Sequence, residues 1–556
     1  MKKKQRKQKQ KKQQSPRRLD VTPEALQQLV DCAKDLLPQQ QFELLSAITE
    51  SILFLRTAYE QKRISERNLL RMMFGPFTES ARVVLQEEKE REEEKKRDKK
   101  EKPRGHGRNG VEDYPGARRQ KVPHTEMKAG QQCPECLRGT LYQFRGEEPA
   151  VLVRFTASIP VDATVYEIER LRCSACQKIY SAPLPAEAQK PKYDETVGAM
   201  IGVLRYGAGL PMNRIETLQQ DFGIPLASST QWAIVDRMAE VISPAYEELA
   251  RLGAQGEVIH NDDTSMKILA LCKIRQQQKQ EPDEEDEPES SKKNPRTGCF
   301  TSGFVCLTDA RRIALFFTGE HHAGENMEAL LQKRKEDLPP PIQMCDGLSR
   351  NLPKSFQTIL GNCVCHGRRH FVDVFEDFPE ECRFVIETLK EVFKNEDIAL
   401  QANMTPAERL LFHQSQSKPW MDKLNKWLDE QFEQKKVEPN SGLGKAISYM
   451  RKHWEPLTLF LKIENAPLHN NIAERALKMA VLHRKNSMFF KTFRGAYVGD
   501  ALMSLVHTCR LSNVNPFEYL VALQLHHEQL KANSQQWMPW NYRATIDEAA
   551  RASPTM

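Results

Sequence analysis

Residues 258–269 read VIHNDDTSMKIL, an apolar and β-branched run that follows Gly256. The period is that of a strand, and this one carries an acidic pair, Asp262-Asp263. Working outward, Cys299–Thr308 and Ile313–Thr318 read as two more strands, with the turn Asp309-Ala310-Arg311-Arg312 between them. A helical run follows at Asn326–Lys333. Pro341–Gly347 (PIQMCDG) then reads as a short buried strand ending in Asp346-Gly347. A further strand, Asn362–His366, leads into Arg368-Arg369-His370-Phe371.

Strand, strand, strand, helix, strand, helix, strand is the order of a ribonuclease-H-like α/β core. In open α/β sheets, sites form at the carboxyl ends of strands. Asp262, with Asp263 as the alternative, and Asp346 therefore stand as paired carboxylates able to hold hard divalent cations. A third ligand is expected from a helix. Leu468–Lys478 (LHNNIAERALK) supplies one, with Asn470-Asn471 at its start and Glu474 and Lys478 one turn apart on one face. Taken alone, that Glu–Lys pair is equally an ordinary surface pair.

The rest of the chain divides by composition. Residues 1–18 form a basic tail; 19–86 are helical and zipper-like, with Leu45, Ile48, Ile52, Leu55 and Tyr59 at a/d spacing. Residues 87–127 are a charged linker. Within 128–184, Cys133-Pro-Glu-Cys136 and Cys173-Ser-Ala-Cys176 flank strand-like sequence, the spacing of a structural zinc module. Residues 185–252 read as helices with a turn at Asp221–Ile224, a helix-turn-helix pattern suited to DNA. The core runs over 253–375, interrupted by the acidic loop 276–297, and resumes over 466–515. A helical insertion, 376–465, separates its halves, and 516–556 form a helical tail. Cys363-Val364-Cys365-His366 has the makings of a second metal site, yet on a buried strand the alternation reads more simply as packing.

The chain has 556 residues and a formal net charge of +7. Residues 1–18 hold ten Lys/Arg and no acid, so everything after them is slightly acidic. No stretch approaches the ~20 apolar residues of a membrane span. No apolar segment follows the Lys-rich start, so a secretory signal is not expected. Thirteen Cys then read as thiols and metal ligands of a reducing, cytoplasmic compartment.

Together these motifs resemble the DDE transposases of bacterial insertion sequences, specifically the IS66 family. The resemblance rests on five runs in order: His260–Thr264, Cys345–Gly347, Arg368–Phe371, Asn470–Arg475 and Arg484-Lys485-Asn486. Asn261 and Asp263 stand where that family has Ala and Glu, and the Lys-rich tail and acidic loop are unusual for it. The resemblance implies a Mg²⁺- or Mn²⁺-dependent enzyme that cleaves element ends and joins 3′-hydroxyl ends to target DNA. Asp262, Asp346 and Glu474 would hold two ions. Asn470, Asn471, Arg475, Lys478, Arg368, Arg369, Arg484 and Lys485 would contact DNA. It further implies double-stranded DNA as partner, a homodimer or larger assembly, small accessory proteins of the same element, and a nucleoid-associated location when DNA-bound. Two other readings remain at this stage. One is a zinc-containing DNA-binding regulator without catalysis; the other is a ribonuclease-H-like nuclease that hydrolyses without joining.

Deleting residues 1–18 is expected to weaken non-specific DNA binding and to flatten its salt dependence, since phosphate contacts set that slope. An unchanged slope of binding against salt would separate the tail from DNA altogether.

Overall fold

The computed structural model describes residues 159–172, 179–278, 298–308 and 311–552, with the isolated positions 42 and 130–132. Apart from position 42, these belong to the second of two units into which the chain divides, Glu93–Met556. The basic tail, the zipper-like segment other than position 42, and the charged linker lie outside the described residues. So do Cys133, Cys136, Cys173 and Cys176, the expected zinc ligands, and the acidic loop from 279 onward.

The fold is mixed α/β. Two short strands, β1 (Arg170–Arg172) and β2 (Ile179–Ser181), pair antiparallel. Three helices follow: α1 (Glu195–Gly202), α2 (Met212–Asp221) and α3 (Ser228–Gly253). Gly223, at φ +75°, makes the turn between α2 and α3 in a conformation that other residues resist. This is the helix–turn–helix order expected, but α3 has a second commitment. Its stripe Val235, Met238, Ala239, Ile242, Ala245, Tyr246 and Leu249 is buried, and Tyr246 Oη donates to Phe316 O of the sheet. It is a core helix along most of its length.

The sheet has five strands: β3 (Val258–Ser265), β4 (Phe300–Thr308), β5 (Arg311–Gly319), β6 (Ile342–Cys345) and β7 (Ile359–Asn362), in the spatial order β5-β4-β3-β6-β7. The β4–β5 hairpin and the β3–β4 pair are antiparallel; β3–β6 and β6–β7 are parallel. Helices α4 (Leu269–Gln278) and α5 (Ala323–Leu331) follow β3 and β5. β3 stops at Ser265, short of the expected Leu269, because Leu269 N–H donates to Phe490 O and starts α4.

One strand expectation is corrected. The run Asn362–His366 is not a strand: β7 ends at Asn362, and Val364–Asp373 form helix α6. The buried positions Val364, Gly367, Arg368 and Phe371 follow a helical i, i+3, i+4, i+7 period. The short Cys-Val-Cys alternation masked that period, as an apolar run of three residues suits either conformation.

The expected helical insertion is present as α7 (Pro379–Gln401), α8 (Pro406–Gln416), α9 (Lys418–Glu433), α10 (Gly442–Lys452) and α11 (Trp454–Leu457). Its anchor is a buried cluster in which Glu396 of α7 accepts from Arg409 and pairs with His413 Nε2 at 2.8 Å. Burial alone would raise the Glu396 pKa, but these bonds outweigh it and hold the carboxyl at about 2. Arg409 also donates to Ala466 O, which ties the insertion to the chain just ahead of α12 (Asn471–Ser487).

The outer edge of β5 is covered by α13 (Phe493–Leu511). Asp500, Ser504 and Thr508 of α13 accept the backbone N–H groups of Thr318, Phe316 and Ala314. A polar residue at every fourth helical position thus meets an open N–H at every second strand position. An unpaired donor at such an edge would cost about 1–3 kcal/mol. Burial pushes the Asp500 carboxyl up to about 7, against the two hydrogen bonds from Thr318 that lower it. Because the folded pKa is raised, the stability tied to this proton is present at low pH and lost as pH rises from ~4 to ~7. Asp500→Asn keeps an acceptor for Thr318 N–H. Relative to wild type, it is expected to gain on the order of 3 kcal/mol between pH 4 and pH 8, read from urea midpoints.

Candidate active site

β3 is fully buried from Val258 to Asn261 and leaves the core at Asp262. In the parallel β3–β6 pair His260 stands opposite Met344; continued two residues further, that register leads Asp262, in the middle of β3, toward Asp346, just past the end of β6, and the Asp346 charge acts on Asp262. Strand alternation sends Asp263 the other way. Its side chain is 3% exposed, His322 Nδ1 lies 2.8 Å from it and Arg350 3.6 Å. Asp263 is therefore paired, and Asp262 is the carboxylate that faces Asp346.

Burial is the main cause that pushes the Asp262 carboxyl up to about 7; Asp346 adds to the rise, while the Asp263 N–H and His366 oppose it. Asp346 accepts from the Asn351 side chain. Gly347 follows it under the His453 ring, which would have to shift for a side chain there, as a Cβ would stand 2.8 Å from it. His453 in turn bonds Asn362 at 3.0 Å. Beneath the site, Asn261 is fully buried but satisfied, with its amide partnered by Gln343 and by Asn351 O.

Glu474 is held in place by the residue that opens its helix. Asn470 occupies the N-cap position, yet its side chain makes no capping bond, contrary to the expected role of the Asn pair. Its Nδ2 donates to Asn261 O on β3, so Oδ1 accepts from His260 Nδ1 at 3.0 Å. Burial pushes His260 down to about 4, so the ring is neutral and its Nδ1 carries the proton. The Asn470 N–H donates to Cys363 Sγ at 3.2 Å. One turn on, Glu474 Oε1 lies 3.7 Å from His366 Nδ1, and both atoms are buried without a hydrogen-bond partner. His366 also lies close enough to Asp262 to lower its pKa.

The basic residues divide. Arg475, Lys478 and Lys485 are exposed on α12, and Asn471 is its half-buried first residue. Arg484 instead donates to Thr264 Oγ1 and to Ser265, clamping the end of β3. Arg368 is 7% exposed and belongs to the buried face of α6, so it is not a surface phosphate ligand as expected; Arg369 is half-buried beside it. Asn351 and His453 were not singled out from sequence. No motif marks them, and only the loop after Asp346 and the packing of the insertion bring them in.

Oxygen donors from Asp262, Asp346 and Glu474 make a set suited to a hard divalent cation. Two observations fit one there. Asp262 is a carboxylate whose charge burial disfavours, and Glu474 Oε1 is buried with no hydrogen-bond partner.

The model of the Transposase IS66 family matches residues 191–284 and 288–498, more than half of the chain, and the chain belongs to that family. It is similar to three uncharacterized proteins of Sinorhizobium fredii (strain NBRC 101917 / NGR234). It is 26% identical to y4hP over 63% of each chain. To y4jD it is 27% identical over 75% of this chain and 79% of the other, and to y4qI 24% over 63% and 62%. The match thus spans just under two thirds of the length of y4hP. Among the described residues, no helix is long and apolar enough to cross a membrane.

Asn470→Ala would leave the His260 N–H and the Asn261 carbonyl buried without partners. It is expected to cost about 2–5 kcal/mol, seen as a lowered urea midpoint with little change in slope.

Proposed function

We propose that this chain is a DNA transposase of the DDE type. In this reading the five-stranded sheet is a ribonuclease-H-like core, and Asp262, Asp346 and Glu474 are its catalytic carboxylates. Two observations support the reading, one on the Asp pair and one on the Glu474 helix. Register leads Asp262 toward Asp346, and Asn470 pins the Glu474 helix to the same strand. The family supports DNA as the partner.

The three carboxylates would hold two Mg²⁺ ions. When bound, such ions lower the pKa of water or of a terminal 3′-hydroxyl and stabilise the departing oxygen of a phosphodiester. The chain's own residues do the rest. Asn351 orients the Asp346 carboxylate, and His366 stands against Glu474. Arg475, Lys478 and Lys485 form an exposed basic row on the Glu474 helix, placed to meet phosphates. Element ends would be cleaved and their 3′-hydroxyl ends joined to target DNA without a covalent enzyme intermediate. Bringing two ends together calls for a dimer or larger assembly. A structural zinc at Cys133, Cys136, Cys173 and Cys176, and accessory proteins of the element, belong to the same proposal.

Asp346→Asn and Glu474→Gln are expected to keep the fold, by circular dichroism, and to lower Mg²⁺-dependent cleavage of element-end DNA by about 10²–10⁴-fold. Retained activity in either variant contradicts the assignment. Joined products, rather than nicks alone, separate a transposase from a hydrolytic nuclease.

A further inference from the structure

An all-oxygen ligand set makes no use of two metal-binding groups beside Glu474, the Cys363 thiol and the His366 imidazole. Cys363, His366 and Glu474 each offer a ligand atom, and these atoms all lie within 4.8 Å of one another. The His366 Nδ1 to Glu474 Oε1 separation is 3.7 Å, and both are buried without a hydrogen-bond partner. Cys363 is wholly buried and is held toward them by the Asn470 N–H. Around a tetrahedral zinc ion, S, N and O ligands stand roughly 3.3–3.8 Å apart, so closure of about 1.5 Å at most completes the set. Cys365 lies close enough to both Cys363 and Glu474 to feel their charge. Magnesium has little affinity for sulfur, whereas a thiolate, an imidazole and a carboxylate suit zinc.

We propose that Cys363, His366 and Glu474 form a site for one thiophilic divalent cation of the zinc class, with a fourth position open. Binding replaces the Cys363 thiol proton, which passes to solvent, and forms three metal–ligand bonds. The site shares Glu474 with the proposed catalytic set. A zinc-class ion therefore draws that carboxylate away from Asp262 and Asp346 and acts as a brake, a consequence that rests on the reading of Glu474 given above.

The test uses the full chain after dialysis against Zn²⁺ and removal of loosely held metal. Wild type is expected to retain one more zinc equivalent than Cys363→Ser, His366→Gln or Glu474→Gln; any zinc in the Cys133 module is common to all four and cancels. Co²⁺ titration gives a second readout, a thiolate-to-cobalt band present in wild type and altered in Glu474→Gln. That variant changes a half-buried helix residue and keeps the test valid should the Cys363 variant misfold. Equal zinc content and identical cobalt spectra in wild type, His366→Gln and Glu474→Gln overturn the proposal. Half-inhibition of Mg²⁺-dependent cleavage is expected at tenfold or more higher Zn²⁺ in His366→Gln than in wild type, and equal sensitivity overturns the brake. Zinc-free wild type that fails to cleave while the zinc difference persists supports the site and refutes only the transposase reading.

Discussion

Everything in the candidate active site depends on how one amide side chain is satisfied. Asn470 joins three segments: its side chain bridges His260 and Asn261 of β3, its N–H meets Cys363 at the start of α6, and its own helix carries Glu474. All of these groups are buried, so each would cost free energy if left unpaired. The geometry is therefore over-determined, and a helix that begins far along the chain is locked to the first strand of the sheet. His260 takes part as a neutral donor, since burial keeps its proton affinity low.

Around that junction the fold accumulates charge it does not neutralise. Asp263 is paired with His322 and Arg350, and Asp500 gains two hydrogen bonds from Thr318. Among the described residues Asp262 has no ion pair, and Glu474 faces His366 at a distance too long for a hydrogen bond. Desolvated carboxylates left in this state are poised to gain from a cation. The two proposed cation sites would share Glu474: an all-oxygen set with Asp262 and Asp346, and a sulfur–nitrogen–oxygen set with Cys363 and His366. The second set makes physical sense of a cysteine and a histidine that the phosphoryl-transfer reading leaves idle.

The surroundings hold the site rigid by similar means. The period of α13 matches the spacing of open N–H groups on β5, closing one edge of the sheet. The helical insertion, which separates Asp346 from Glu474 by a long stretch of chain, is pinned through Glu396, Arg409 and His413, and Arg409 reaches the backbone just before α12. The insertion also lends His453, which closes over Gly347. It is thus part of the site's wall.

Between the last two strands the sequence suggests a helix where only the short turn Ser349–Asn351 stands; what it marks by itself are four of the five strands, a long helical stretch and the candidate acidic residues. Each of these is a local pattern: apolar period, turn chemistry, or a carboxylate at a strand end. It misread Asn362–His366, where three apolar residues suit strand and helix equally. It also left Asp262 and Asp263 as alternatives, because neighbours on a strand differ only in the face they take. Tertiary structure alone decided those points. Packing buried Asp263 against His322, turned Arg368 inward, took the Asn470 side chain away from capping, and set Cys363 and His366 against Glu474. None of those outcomes is encoded in spacing, since each depends on which distant group remains unsatisfied once the sheet has closed.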